Sequence, residues 1–201
     1  MDYITIAAEG FIGTPRLKET PHVDFGDPLS YMQIRRNRAS NLFGTVRNNN
    51  TKNHQGFDYY ALEGTEVYAV ANGEVVCIVD PPLGDYGKQI IIKIDNSNYY
   101  AFYAHLSQIY VKKRDPVEKG DTIGKTGITG NAKTFRGLDQ HLHFECRTAA
   151  ILGKGLDGRL SPNNIVLTKF YSQDPKSKMQ SSLGVYKVDK NNKKTKMDCI
   201  L

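Results

Sequence analysis

From residue 65 onward the apolar positions fall into short, evenly spaced runs separated by turn-forming residues. Residues 65–80, TEVYAVANGEVVCIVD, hold two β-branched stretches on either side of Asn72-Gly73, which predicts a β-hairpin turning at that pair. KQIIIKID and NYYAFYAHL predict a second hairpin around Asn96-Ser97. In DPVEKGDTIGKTG, Pro116 and Gly120 frame a turn that leads into a short strand. HLHFECRT, from His141, alternates and predicts a further strand. Residues 1–40, with Pro15, Pro21 and Pro28, read as an irregular lead-in holding one short strand and one short helix. No internal repeat and no long amphipathic helix interrupts this texture. Short strands punctuated by turns predict an all-β fold, an antiparallel sandwich or barrel.

The composition agrees. At 201 residues, with 39% hydrophobic and 24% charged, the chain has the material for one domain with extensions, and wholesale disorder is excluded. Eighteen glycines, twelve tyrosines, eight phenylalanines and no tryptophan favour strands and turns. The longest apolar runs, such as Ile90–Ile92, are too short to span a bilayer as a helix, so no transmembrane segment is expected. The start of the sequence has neither a basic n-region nor an apolar h-region, so no secretory signal peptide is expected there. Cys77, Cys146 and Cys199 are far apart and odd in number, which rules out a full disulfide framework. Cys77 and Cys146 read as small core residues.

Basic residues exceed acidic ones by six, and residues 169–201 alone hold eight lysines against three aspartates. The basicity is therefore mostly that of the C-terminal stretch, expected as a solvated extension. No arginine-rich helix, RNA-binding signature or zinc-finger spacing accompanies it, so no nucleic-acid partner is expected.

The chemistry lies in five histidines, His22, His54, His105, His141 and His143. His141 and His143, two apart on a strand, share one face, whereas Cys146 has the opposite parity. His54 and Asp58, four apart in HQGFD, also lie on one side. Zinc takes imidazole nitrogen and carboxylate oxygen, and three protein ligands with an open fourth position define a catalytic site. The helical HExxH motif is absent.

In order and spacing, His54-Gln55-Gly56-Phe57-Asp58, Tyr103-Ala104-His105-Leu106-Ser107 and His141-Leu142-His143-Phe144-Glu145 resemble the three motifs of the lysostaphin-type (LytM-like) zinc endopeptidases. Phe43-Gly44-Thr45-Val46-Arg47 resembles the family's FGxR lead-in. Gly64-Thr65-Glu66-Val67 through Val76, Val117–Asp121 and Gly124–Gly127 are similar to its other conserved stretches. The resemblance covers about residues 43–166. It implies a small antiparallel sheet with an open groove, a peptidase domain at 41–168, and a basic extension at 169–201. It also implies that His54, Asp58 and His143 hold Zn²⁺, while His105 and His141 act as the catalytic pair on the attacking water.

The implied substrate is a peptidoglycan peptide, either a stem-peptide cross-link or a glycine-rich bridge, met in the periplasm or cell wall. A delivered wall-degrading effector or lysin would account for an absent leader, and such a toxin would imply an immunity or inhibitor protein. Two alternatives remain open: a non-catalytic LytM-like regulator of wall enzymes, and a zinc peptidase acting on a non-wall peptide. The chain departs from the family between Gly130 and His141, where NAKTFRGLDQ replaces a shorter stretch ending in Gly-Pro. This insertion is expected to line the groove. His22 and Asp24 in the lead-in raise a further alternative, a segment folded over the groove that supplies a fourth ligand. The simpler expectation is that the lead-in edges the sheet.

Overall fold

A computed structural model of the chain describes residues 22–173 and 184–197. The first 21 residues and Cys199 lie outside that range. The architecture is all-β and antiparallel, as expected. Fourteen strands are described: β1 (Gly44–Arg47), β2 (Lys52–His54), β3 (Phe57–Tyr60), β4 (Glu66–Tyr68), β5 (Gly73–Leu83), β6 (Gly87–Ile94), β7 (Tyr100–Ile109), β8 (Pro116–Val117), β9 (Thr122–Thr126), β10 (His141–Arg147), β11 (Arg159–Leu160), β12 (Lys169–Ser172), β13 (Val185–Val188) and β14 (Lys194–Met197). Helical structure among the described residues is confined to three-residue 3₁₀ turns.

The main sheet runs β11-β10-β7-β6-β5-β8, with β3 added to β10, and with β9 joining β7 to β4. Its central strands are covered on both faces, which is why Ile90, Ile91 and Ile92 are all buried. Ile90 and Ile92 join the main core with Tyr59, Tyr103, Phe144 and Phe170. Ile91 packs with Phe102 and Ala104 on the opposite face, where Tyr86 covers them. Along β10 the alternation is strict: Leu142, Phe144 and Cys146 enter the core, leaving His141, His143, Glu145 and Arg147 to the other face.

The hairpin around Asn96-Ser97 forms, as β6 and β7, with Asn96 in the left-handed region at φ 53°. The hairpin expected at Asn72-Gly73 does not. β4 pairs with β9, and β5 pairs with β6 and β8, so the chain at Asn72 passes from one partner set to another. Asn72 instead accepts the amides of Asp95 and Lys119. Gly73 is needed for close approach, since a Cβ there would lie 2.2 Å from the carbonyl oxygen of Lys93.

Two terminal stretches differ from expectation. In the lead-in, the described residues form 3₁₀ turns at Arg35–Asn37 and Ala39–Asn41 and a single bridge from Ile34 to Tyr59. The basic extension is not simply solvated: β12, β13 and β14 make a separate antiparallel sheet. Phe170 and Val185 from it are buried in the main core. Burial of these two apolar side chains outweighs the solvation of the flanking lysines, which stay on the exposed side.

Candidate metal centre and groove

Four elements bring the site together. β2 ends at His54, a two-residue link carries Gly56, and β3 places Asp58 opposite His143 of β10. Gly56 permits this crossing, because a Cβ there would sit 2.1 Å from the carbonyl oxygen of Phe144. On the other side of β10, His143 pairs with Ala104 of β7. There β7 carries a bulge against β6, and His105 takes φ 61° within it. A bulge with one left-handed residue re-aims a side chain, here bringing the His105 ring to 5.1 Å from His141 and 6.0 Å from His143.

Three ligand-type atoms converge. His54 Nε2 lies 3.0 Å from Asp58 Oδ1 and 3.3 Å from His143 Nδ1, and His143 Nδ1 lies 2.9 Å from Asp58 Oδ1. Atoms bound tetrahedrally to zinc at about 2.0–2.1 Å are about 3.3–3.4 Å apart, so little adjustment is required. The outer partners orient the rings. His54 Nδ1 donates to the carbonyl of Leu42 at 2.9 Å, and His143 Nε2 donates to Glu145 Oε1 at 2.9 Å. With these protons committed outward, a nitrogen lone pair from each ring and a carboxylate oxygen face one another. A positive charge belongs among them, either a proton on His143 or a metal cation in its place. The residues fit zinc on this ground, and His54, Asp58 and His143 form the group suited to a metal among the described residues.

The protonation states follow the same logic. Burial lowers the pKa of His54. For His143 burial acts in the same direction, but the hydrogen bonds it donates to the Asp58 and Glu145 carboxylates outweigh it and raise the pKa. Burial would raise Asp58, yet the surrounding His54 and His141 hold it well below the usual carboxylate range.

His105 and His141 stand beside this group. His105 Nδ1 donates to the carbonyl of Thr129 and His141 Nδ1 to that of Asp139, each at 2.9 Å. Both rings are thereby set as tautomers whose Nε2 carries a lone pair. His141 Nε2 lies 3.7 Å from Asp58 Oδ1. Burial, followed by the nearby His141 and His143, pushes His105 down to about 3. Burial also lowers His141.

All five residues singled out in the sequence, His54, Asp58, His105, His141 and His143, line one groove of about 810 Å³. The insertion contributes Asn131 and Phe135 to its wall. His22 and Asp24 do not join: His22 is exposed, and Asp24 pairs with Lys119.

Sequence reasoning missed the residues behind the histidines. Glu145, fully buried, accepts from Arg147 Nε at 2.6 Å and Arg159 Nε at 2.8 Å as well as from His143. Burial raises its pKa, but His143 and Arg147 bring it well below the ordinary value. Asp58 Oδ2 accepts from Arg47 Nη2 at 2.6 Å, with Arg35 Nη1 at 3.8 Å. The parity of β10 pointed to Glu145, and the FGxR stretch held Arg47; nothing local pointed to Arg35 or Arg159.

An antiparallel sheet thus gathers a His-Asp-His group that could hold a metal ion and two further imidazoles in one groove. Residues 52–157, more than half of the chain, match Peptidase family M23. The chain belongs to that family, which bears out the resemblance to the lysostaphin-type peptidases. It is 38% identical over 92 residues to the peptidoglycan DD-endopeptidase ShyA of Vibrio cholerae, covering 46% of this chain and 20% of that protein. It is 35% identical over 94 residues to the murein hydrolase activator NlpD of Escherichia coli, covering 47% of this chain and 23% of that one. The chain thus spans only about a fifth to a quarter of the length of these relatives. Among solved structures, it matches the catalytic domain of the antimicrobial peptidase lysostaphin from Staphylococcus simulans with 28% identity and a TM-score of 0.47, covering 56% of this chain and 77% of that one.

Proposed function

We propose that this protein is a zinc-dependent endopeptidase that hydrolyses peptides of bacterial peptidoglycan. In this reading His54 Nε2, Asp58 Oδ1 and His143 Nδ1 hold Zn²⁺. When bound, zinc supplies a Lewis acid for the scissile carbonyl and makes water acidic enough to react at neutral pH. His105 and His141 handle the protons. Each is held by its Nδ1–H on a backbone carbonyl, so each Nε2 is free to take a proton from the attacking water and later return it to the departing amine. The same Nε2–H groups, once protonated, stabilise the negative charge that develops on the carbonyl oxygen. The observation that carries this reading is the meeting of three lone-pair atoms within 3.3 Å of one another beside two pinned neutral imidazoles.

Action in the periplasm or cell wall, of its own or a target cell, belongs to this proposal and is supported by relatives named as peptidoglycan endopeptidases. An immunity or inhibitor protein belongs to its delivered-effector form. The similarity to NlpD favours a second reading, a wall-enzyme activator without hydrolysis of its own. The complete set of three ligands and two histidines speaks for the enzyme.

Muropeptide release from purified sacculi, read by mass spectrometry, decides between them. Wild type is expected to liberate new peptide ends. His141→Ala is expected to retain zinc and lose about 10²–10⁴-fold in rate, whereas His54→Ala and Asp58→Ala lose the metal. A His141→Ala protein as active as wild type overturns the assigned role. A zinc-loaded wild type that releases nothing, yet stimulates another wall hydrolase, establishes the activator.

A further inference from the structure

A second cavity, of about 570 Å³, lies between the 3₁₀ turns of the lead-in and the β1–β2 turn. Arg35, Arg36, Arg38 and Arg47 line it, together with Asn48 and Asp139. Arg35 and Arg47 also line the groove, so the two hollows share a rim beside Asp58.

The charges there do not cancel. Asp139 accepts from Arg35 Nη2 at 2.9 Å and from Arg36 Nη2 at 2.7 Å, and Asp58 accepts from Arg47. Four guanidinium groups thus face two carboxylates, one of them committed to the histidine group. Arg38 is exposed and has no acidic partner among the described residues. Arg35 Nε is buried with no hydrogen-bond acceptor. The exposed, unpaired guanidinium of Arg38 in a concave, multiply cationic wall suits an oxyanion, and its planar fork suits a carboxylate. The backbone is shaped for this display. Arg36 and Asn37 take φ of 48° and 50°, and Asn48, Asn49 and Asn50 take 50°, 54° and 64°. Both segments that border the cavity thus carry left-handed residues, a conformation that asparagine adopts readily and arginine seldom does.

We propose that this arginine-lined cavity is a substrate subsite that binds a free carboxylate of the peptide, carried within a residue or two of the scissile bond. The inference rests on the peptidase reading and narrows its substrate to peptides bearing an acidic group at that position, in preference to uncharged bridges. Arg38 and Arg36 meet the carboxylate, and Arg35 and Arg47 carry its position to the metal ligand Asp58.

The test uses two cross-linked peptides of one sequence that differ only in a free carboxylate or its carboxamide. Wild type is expected to favour the carboxylate about tenfold in kcat/KM, chiefly through KM, as befits one charge-assisted contact. In Arg38→Gln that ratio should fall towards one, and Arg38→Lys should recover part of it. Arg38 is exposed, so its loss leaves the fold intact. Calorimetric binding of the same two peptides to His141→Ala supplies a readout that needs no turnover. Hydrolysis of both peptides at equal kcat/KM, or an unchanged ratio in Arg38→Gln, overturns the subsite and leaves the peptidase standing. Carboxylate-selective binding that Arg38→Gln abolishes, with no hydrolysis by wild type, keeps the subsite and overturns the peptidase. Neither selective binding nor hydrolysis overturns both.

Discussion

Arg47 Nη2 donates to Asp58 Oδ2 at 2.6 Å while Asp58 Oδ1 faces His54 and His143, so one carboxylate joins the arginine-lined wall to the histidine group. Its two oxygens have separate tasks. The arginine fixes the plane of the carboxylate and so leaves a single oxygen directed at the two imidazoles.

Removing that restraint should weaken metal retention while the ligands stay in place. Arg47→Gln is expected to lower zinc affinity about 10–100-fold, the usual consequence of losing an outer partner of a ligand. Competition against a chelator of known affinity measures it. An affinity equal to wild type would mean that Arg47 serves only the neighbouring cavity.

Glu145 should be costly to truncate. Its carboxylate takes hydrogen bonds from His143, Arg147 and Arg159 at full burial. Glu145→Ala leaves Arg147 and Arg159 buried without their anion and should destabilise by about 3–5 kcal/mol. Glu145→Gln, which keeps an oxygen acceptor, should cost less. Urea unfolding of the metal-free protein separates this from any effect on zinc, and a loss under 1 kcal/mol for the alanine variant would contradict it.

Gly56→Ala tests the crossing of the β2–β3 link over β10. The added methyl group would meet the Phe144 carbonyl oxygen at 2.1 Å, and backbone cannot yield as a flexible side chain can. A loss of about 1–3 kcal/mol is expected from the overpacking. Because Gly56 sits between His54 and Asp58, zinc binding should fall with it. A variant as stable and as zinc-competent as wild type would show that the link can move freely.

The two described cysteines should differ in reactivity. Burial pushes the Cys146 thiol up to about 12, so at pH 8 its thiolate fraction is small, and its side chain is enclosed in the core. Cys77 is only half-buried, beside the groove. In a Cys199→Ser background, alkylation of the native protein at pH 8 should mark Cys77 and spare Cys146 until unfolding. Equal labelling by peptide mass spectrometry would contradict the packing of β10.

Local pattern and tertiary structure divide this protein along physical lines. Period-two alternation is a property of the strand itself, so HLHFECR displayed its two faces before any partner was known, with the histidines on one and Leu142, Phe144 and Cys146 on the other. The turn at Asn96-Ser97 was equally legible, because the strands it joins are adjacent in sequence. Asn72-Gly73 carried the same local signal and misled. The competing pairings of β4 with β9 and of β5 with β8 join segments distant in sequence, and these outweigh a turn propensity. The C-terminal lysines spoke for solvent, and only the core could reveal that Phe170 and Val185 have a place in it.

The sequence by itself determined which residue types were present for metal and proton chemistry and which of them share a strand. The tertiary structure alone decided their convergence. It brought His54 and Asp58 across to His143, bent β7 at His105, and drew Arg35 from the lead-in to Asp139 and Asp58. Hydrogen-bond and charge complementarity act over a few ångströms of space and are indifferent to the hundred residues of chain between Arg35 and Asp139, so no local pattern announces them.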